Sequence, residues 1–420
     1  MRTEPTGRSG LSRRGLVSGA GVVLGAAAGF AGGRALASPG EAQVAEEAGE
    51  SVDFTQSYDF YTGDHQVGVD TLPQRHIVFM TFNVAASASK RDLQVLFARW
   101  SAAISQLMKG RPVGSVEPTR ANAVPQDTGE AHELGPASLT VTLGLGPSLF
   151  DDRFGLAAYR PKLLQDLPTL PSDQLRPELV GGDLSLQACA DDPQVAYHAI
   201  RDLARLGRGT VTTRWTVLGF GRASAGLGQS TPRNLMGFKD GTRNIKDAAD
   251  LDDFVWVSDD LDWMKGGTYQ VVRKIRMDIE VWDATTIETQ HTTFGRDKGV
   301  GAPLTGSKEF DTPDFTATAD GKPVIDPASH VALAAHENNG GVRILRRGYN
   351  FTDGLNDLGQ LDAGLLFICY QKDPQQFVTL QTRLGSADLL NEYIAHIGSG
   401  IFAIPPAPAQ GHYLGEALFG

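Results

Sequence analysis

The stretch GFKDGT, residues 237–242, places one carboxylate between glycines, in a loop with basic residues on either side. Asp240 lies between Gly237 and Gly241, and Lys239 and Arg243 are within three residues of it. Glycine permits positive φ and close approach of the backbone to another group. An acid in such a turn is most often a turn former, so a chemical role for Asp240 requires partners from elsewhere in the chain.

Candidate partners occur about ninety residues downstream. The nine histidines include no HExxH motif and no Cys/His cluster with zinc spacing. His330 and His336 lie in SHVALAAH, where a separation of six residues does not place them on one helix face. Arg346 follows in RILRRGYNF, which has the composition of a strand. A single histidine is more often structural than a ligand. Nevertheless, His330, Arg346 and Asp240 could converge in one pocket.

The elements that would position these residues follow from hydrophobic periodicity. In the first half, the patterns predict strands at 76–84, 138–146 and 210–220, helices at 89–108 and 192–207, and space for one further strand. In the second half, they predict strands at 266–282, 342–351 and 364–371 and a helix at 373–385. Both halves contain a strand followed by an amphipathic helix, which indicates an internally duplicated α+β unit.

In this order, the segments resemble those of the dye-decolourising peroxidase family. GFKDGTRN is similar to the family's GxxDG signature, while SHVALAAH and RILRRGYNF resemble its proximal-histidine segment and distal-arginine strand. FYTGDHQVGV and GLLFICYQKDP are similar to an early and a late conserved block. The match covers about residues 57–405, and the export signal described below makes the chain look most like the exported deferrochelatase/peroxidase branch.

The resemblance implies one haem b per chain, with His330 as the iron ligand. The other ring nitrogen of such a ligand is expected to donate to a carboxylate, for which Asp388 and Glu392 are candidates. Asp240 matches the distal acid–base that moves a proton between the peroxide oxygens, and Arg346 matches the arginine that holds the peroxide anion. Because a carboxyl group ordinarily has a pKa near 4, an acidic pH optimum is expected.

The resemblance also implies further cofactor-binding residues. Strand alternation sends Arg346 and Arg347 to opposite faces, and the position within RILRRGY favours Arg346 as the distal residue. Arg243 is suited to pair with a haem propionate. For Phe367, an ordinary core position is the alternative. The other residues expected to line the haem are Gly241, Thr242, Ala335, His336 and Glu337.

Together, the resemblance and the duplication predict an α+β fold of two ferredoxin-like domains, with antiparallel sheets and helices packed on them. We expect an N-terminal domain at 55–222 and a C-terminal domain at 223–420, with the haem held mainly by the second. The Gly/Ala/Ser-rich loop between Gly221 and Pro232 is the predicted boundary.

Three functions remain open from the sequence. The leading one is a secreted peroxidase that reduces hydrogen peroxide while oxidising dyes, phenols or other organic donors. The second is a deferrochelatase that removes iron from haem in an iron-uptake system, with iron-transport proteins as partners. The third is a non-catalytic haem-binding protein, against which Asp240 and Arg346 argue because a carrier needs neither.

The N-terminus carries an export pattern. Residues 1–37 contain the paired Arg13 and Arg14 in SRRGLV, a Gly/Ala-rich apolar run and a closing A-x-A site, which fits a twin-arginine signal peptide. An uncleaved membrane anchor is the alternative. Residues 38–54 are interpreted as a flexible leader. We expect the mature protein to be extracellular, periplasmic or associated with the cell envelope, without stable membrane insertion.

Charge and cysteine content set two further limits. The 420 residues carry a formal charge of −11, and cleavage after residue 37 would make it −15 by removing five arginines and one glutamate. A nucleic-acid partner is therefore not expected. Cys189 and Cys369 could pair in an oxidising compartment or remain buried thiols, and the sequence leaves both alternatives open.

Overall fold

The computed structural model describes residues 52–221, 231–258 and 260–420. The signal predicted for 1–37, most of the leader predicted for 38–54 and most of the predicted boundary loop lie outside these residues. Among the residues described, no helix combines the length and apolar character that crossing a bilayer demands.

The first half of the chain forms four strands and two helices. In chain order they are β1 (His76–Val84), α1 (Lys90–Leu107), β2 (Thr140–Leu145), β3 (Leu184–Ala190), α2 (Pro193–Leu206) and β4 (Val211–Phe220). β1 pairs antiparallel with β3 and β4, and β3 pairs with β2, so the sheet order is β2-β3-β1-β4. β3 is the further strand for which the sequence leaves space.

Capping side chains set where the two helices begin. Ser89 accepts the backbone N–H of Asp92, and the Asp92 carboxylate accepts the N–H of Ser89, which makes the predicted N-cap a reciprocal capping box. Asp192 caps α2 by accepting the backbone N–H groups of Gln194 and Val195.

The second half repeats the strand pattern with longer insertions. Its elements are α3 (Ala248–Phe254), β5 (Thr268–Met277), α4 (Ile279–Asp283), α5 (Ile287–Phe294), β6 (Thr318–Ala319), β7 (Lys322–Pro323), α6 (His330–Ala334), β8 (Leu345–Arg346), β9 (Tyr349–Leu355), β10 (Leu361–Gln371), α7 (Pro374–Ala387) and β11 (Ile394–Ile404). β5 pairs with β10 and β11, and β10 pairs with β9. The order β9-β10-β5-β11 matches that of the first half and confirms the predicted α+β duplication.

The two four-stranded sheets join at both edges. β4 pairs with β9 through Gly219–Phe351 and Phe220–Asn350, and β11 pairs with β2 at Ala403 and Leu145. Eight antiparallel strands therefore form a closed ring. β8 lies along the same side of β10 as β9, opposite Cys369 and Tyr370.

Two predictions of strand extent are wrong, and one strand is missed. The strand predicted for 266–282 ends at Met277, and α4 follows with Trp282 fully buried. The strand predicted for 342–351 is interrupted between β8 and β9, at Arg347 and Gly348. β11 is absent from the sequence prediction because the glycines in HIGSG weaken its strand pattern.

Buried aromatic residues support the segment that leads into Asp240. The rings of Phe238 and Phe294 stack with centroids 4.0 Å apart, and Trp282 meets both rings edge-on. Phe294 also contacts the His330 ring, with centroids 5.9 Å apart. This cluster therefore fixes the glycine loop close to the start of α6.

The two cysteines are both buried and free. Cys369 lies on β10 and Cys189 on β3. The sequence leaves open a disulfide or two buried thiols, and in the structure both cysteines are unpaired thiols.

Candidate active site

The loop that carries Asp240 is fixed by its backbone. The Asp240 N–H donates to the Pro232 carbonyl at 2.8 Å. Gly237 has a φ of 84° and Gly241 a φ of 135°, which are conformations that favour glycine. A Cβ on Gly237 would also lie 2.5 Å from Cε of Lys298. The glycines therefore allow a turn that presents the Asp240 side chain while its N–H remains satisfied.

Arg346 contacts Asp240 from β8. Its Nη1 donates to Asp240 Oδ1 at 3.1 Å, and its Nη2 donates to the Thr242 carbonyl at 3.1 Å. Asn244 forms two hydrogen bonds with the Arg346 backbone, at 2.7 and 2.9 Å. The strand and the glycine loop are thus joined at both the backbone and the side chain, which aligns the guanidinium with the carboxylate.

Arg347 points away from this site. Its side chain is buried and donates to the Thr71 carbonyl and to the Gln74 side chain. Its backbone N–H donates to the Ile368 carbonyl at 2.7 Å. The side chains of Arg346 and Arg347 therefore occupy opposite faces, as strand alternation predicts, and Arg346 is the one beside Asp240.

His330 begins α6 and is held by Asp388. Its Nδ1 lies 2.7 Å from Asp388 Oδ2, while Asp388 Oδ1 accepts the Leu390 N–H at 2.9 Å. Burial disfavours the protonated imidazole, but the charge and hydrogen bond of Asp388 outweigh it, so the pKa of His330 is raised. Of the two predicted carboxylate partners, Asp388 is the one that contacts His330. With Nδ1 engaged, Nε2 is the ring nitrogen left for another ligand.

Asp240, Arg346 and His330 line one cavity. Its volume is about 250 Å³. The charges of Asp240 and Arg346 both act on the pKa of His330, in opposite directions, which places the three groups within electrostatic reach. The other predicted residues on its wall are Gly241, Thr242, Arg243, Ala335, His336 and Phe367.

Glu337 is not on this wall and contacts Arg243 instead. Nη1 and Nη2 of Arg243 donate to the two carboxylate oxygens of Glu337. Burial opposes ionisation of Glu337, but hydrogen bonding and the charge of Arg243 outweigh it and lower its pKa. Glu337 therefore orients the arginine that faces the cavity.

Apolar side chains from several elements complete the cavity. They include Ile275 and Met277 of β5, Phe294 of α5, Leu365 of β10, Leu380 of α7 and Ile394 of β11. Periodicity marks these residues as buried but does not distinguish a cavity wall from a packed core. An apolar cleft with Nε2 of His330 and an arginine at its wall suits a flat apolar group with a metal centre and anionic edges. The residues present therefore fit haem.

Glu309 holds the glycine loop on both sides of Asp240, and no sequence pattern singles it out. Its carboxylate accepts from Lys239 Nζ at 2.7 Å, from Thr242 Oγ1 at 3.0 Å and from the Thr231 hydroxyl. Burial opposes ionisation of Glu309, but these bonds outweigh it and lower its pKa. Glu309 is thus a positioning residue for Asp240.

Glu309→Gln is expected to lower the free energy of unfolding by about 1–3 kcal/mol at pH 7, because the amide replaces a charge-assisted acceptor. The pKa of Glu309 is lower in the folded state than its ordinary value of 4.5. Its stabilising effect is therefore complete above that value and is lost as the pH falls through the folded pKa. Urea denaturation at neutral and acidic pH should show the difference between wild type and variant shrinking as the pH falls below 4.5.

The exposed carboxylate of Glu178 provides the matched control, since Glu178→Gln should change stability at neither pH. A difference for Glu309→Gln that is the same at both pH values would mean that Glu309 acts through packing rather than through its charge.

Comparison with known proteins identifies the family. Residues 66–221 match the N-terminal and residues 231–409 the C-terminal family model of Dyp-type peroxidases. A deferrochelatase of Yersinia pestis is 39% identical over 419 residues, covering 97% of this chain and 94% of the relative. The crystal structure of a DyP-type peroxidase from Streptomyces coelicolor is 38% identical with a TM-score of 0.81, covering 87% of this chain and 98% of that one. Ferric DtpA from Streptomyces lividans is 38% identical with a TM-score of 0.80, covering 87% and 97%.

These matches span both halves of the closed ring and the segments that carry Asp240, His330 and Arg346. The fold is the two-domain Dyp arrangement of antiparallel sheets and helices, and the activity and cofactor common to its members are those of a haem peroxidase. The chain therefore belongs to the Dyp-type peroxidase family and is a haem-binding peroxidase.

Proposed function

We propose that this peroxidase reduces hydrogen peroxide while oxidising dyes, phenols or other organic donors, with Asp240 and Arg346 as catalytic residues and one haem b per chain bound through His330. The proposal is supported by two side-chain pairs, Arg346 with Asp240 and Asp388 with His330, that meet at one cavity. Arg346 contacts Asp240 at 3.1 Å, and Asp388 holds His330 at 2.7 Å.

His330 would bind the haem iron through Nε2, because Nδ1 is engaged by Asp388. A carboxylate in this position fixes the ring orientation and increases the basicity of the ligand. Asp388 is itself fixed by the Leu390 N–H. When bound, haem would supply the iron and porphyrin that accept the two oxidising equivalents of peroxide, which no side chain here can do.

Asp240 would accept the proton of one peroxide oxygen and deliver it to the other, which leaves as water. Arg346 contacts Asp240 through Oδ1, so Oδ2 can take the proton. The guanidinium, fixed by the Thr242 carbonyl, would stabilise the negative charge that develops on the leaving oxygen. Such a positioned acid–base typically contributes about 10²–10⁴-fold to the rate.

The remaining wall residues would hold the haem itself. Arg243 carries the positive charge suited to a propionate, and Glu337 orients it. Thr242, tied to Glu309, fixes the loop backbone beside it. Gly241, Ala335, His336 and Phe367, which also line the cavity, would contact the macrocycle.

Donor oxidation tests this function. The haem-loaded protein should decolourise an anthraquinone dye or oxidise a phenol only when hydrogen peroxide is present, with Asp240→Asn severely impaired. Failure to oxidise dyes, phenols and other organic donors under peroxide would contradict the proposed reaction.

Iron removal from haem is a second candidate, favoured by the similarity to proteins named deferrochelatase. This reaction would exchange the iron for two protons on the porphyrin nitrogens, in the same cavity, and iron-transport proteins would be the partners. The fluorescence of free protoporphyrin after incubation with haem would support it. A porphyrin that retains its iron while donors are oxidised would reject it.

We further propose export by the twin-arginine route, on the basis of the sequence pattern in residues 1–37. Mass spectrometry of the protein from the extracellular or periplasmic fraction should give Ser38 as the first residue. An intact N-terminus on protein found only inside the cell would reject this route.

A further inference from the structure

A second cluster of ionisable side chains lies in the first half of the chain and takes no part in the proposed reaction. It consists of Asp127, from the loop after α1, and of His198 and Asp202 on α2. Their side chains are 2%, 7% and 0% exposed. Burying two carboxylates and an imidazole together is costly unless their charges are compensated.

The ring of His198 is held between acids on both sides. Nδ1 lies 3.2 Å from Glu130 Oε2 and 3.3 Å from the Thr128 hydroxyl. Nε2 lies 3.5 Å from Asp202 Oδ2 and 3.6 Å from Asp127 Oδ2. With Nδ1 hydrogen-bonded to the Thr128 hydroxyl, Nε2 is the ring nitrogen that faces the two carboxylate oxygens and is available to a metal ion.

The separations around Nε2 differ from those of direct ion pairs. A charge-assisted N–H···O hydrogen bond is about 2.7–2.9 Å long. Ligand atoms at the corners of a tetrahedral site with bonds of about 2.0–2.2 Å are instead about 3.3–3.6 Å apart. The distances of 3.5 and 3.6 Å from Nε2 to the two carboxylates match the edges of such a site.

The two carboxylates are positioned in advance. The backbone N–H groups of Val113 and Gly129 each donate to Asp127 at 2.8 Å, one to each oxygen. Arg205 Nε donates to Asp202 Oδ1 at 3.2 Å, and Asp202 Oδ2, which accepts the Thr128 N–H at 3.4 Å, lies 3.5 Å from His198 Nε2.

We propose that Asp127 Oδ2, His198 Nε2 and Asp202 Oδ2 bind a divalent transition-metal cation of the zinc class. One imidazole and two carboxylates suit zinc or manganese, whereas calcium and magnesium prefer oxygen ligands alone. A cavity of about 30 Å³ adjoins Asp127 and His198, and it has room for a water as the fourth ligand. The cation would join the loop after α1 to α2.

None of the three proposed ligands is a cysteine. The lack of a Cys/His zinc motif in the sequence is therefore compatible with this site. His198 and Asp202 have the i,i+4 spacing that puts two ligands on one helix face, but Asp127 is 71 residues before His198. The fold, rather than a local motif, brings the third ligand into place.

Isothermal titration of Zn²⁺ into the haem-loaded protein, after chelator treatment, tests the site. We expect one Zn²⁺ per chain, with affinity reduced about 10–100-fold or more in Asp202→Asn and His198→Gln. Asp166→Asn, which makes the same change at an exposed position, should bind like wild type. Zn²⁺ binding equal in all four proteins, or the absence of any stoichiometric site in wild type, would overturn the proposal.

X-ray absorption of the Zn²⁺-loaded wild-type protein provides a test that does not depend on variants folding. The expected first shell has one imidazole and oxygen donors at about 2.0–2.2 Å. A shell with two or more imidazoles would place the zinc elsewhere and reject these ligands.

Discussion

Replacing His330 by alanine is expected to remove most of the Soret absorbance per mole of purified protein, because the haem would lose its proposed iron ligand. In the structure, His330 is the histidine that combines a place on the cavity wall with an Nδ1 fixed by a buried carboxylate, at 2.7 Å from Asp388. External imidazole should restore part of the absorbance to the variant, since the cavity would then accept the missing ligand. Absorption spectra of wild type and variant, loaded with haem in parallel, measure the effect.

The control for this variant is His412→Ala. His412 is exposed, pairs with Glu416 and lies outside the cavity wall, so its removal should leave the spectrum unchanged. Circular dichroism would establish that both variants fold. A folded His330→Ala protein with an undiminished Soret band would show that another residue holds the iron.

Replacing Asp240 by asparagine is expected to lower kcat/KM for hydrogen peroxide by about 10²–10⁴-fold while the Soret band is retained. Asparagine preserves the shape of the side chain but cannot take up the peroxide proton. Arg346→Leu should also reduce kcat/KM, and the double variant should lose less than the product of the two losses, because the paired groups act as one unit. Steady-state kinetics with a small donor measure all three proteins.

Asp247→Asn is the matched control, since Asp247 is exposed and lies seven residues after Asp240, beyond the cavity wall. It should retain wild-type kinetics. Equal kcat/KM for peroxide in Asp240→Asn and Asp247→Asn, with both proteins loaded with haem, would remove Asp240 from the mechanism.

Periodicity predicts the framework of this fold well where strands and helices carry a clear pattern. The strand at 76–84 is confirmed without change, and Ser89 is confirmed as the N-cap of α1. The predicted strand at 342–351 is observed as two segments, β8 and β9, which pair with β10 in one register but are separated at Arg347 and Gly348. Composition cannot reveal such an interruption, since both flanking segments have strand character.

The residues of the candidate site are also of two kinds: those that the sequence predicts and those that only the fold reveals. The order and spacing of the sequence motifs indicate Asp240, His330 and Arg346, and the structure brings them to one cavity. The sequence offers Asp388 and Glu392 as partners of His330, and the contact in the folded chain selects Asp388. Glu309, 69 residues after Asp240, carries no local signal because its partners meet only in the folded chain.

In the proposed reaction, haem iron is bound to Nε2 of His330 in the cavity that Asp240 and Arg346 also line. An anomalous difference map, collected at the iron absorption edge from crystals of the haem-loaded protein, tests this most directly. We predict one iron peak per chain within bonding distance of His330 Nε2, with Asp240 and Arg346 facing the opposite side of the haem. An iron peak ligated by another residue, or one remote from this cavity, would contradict it.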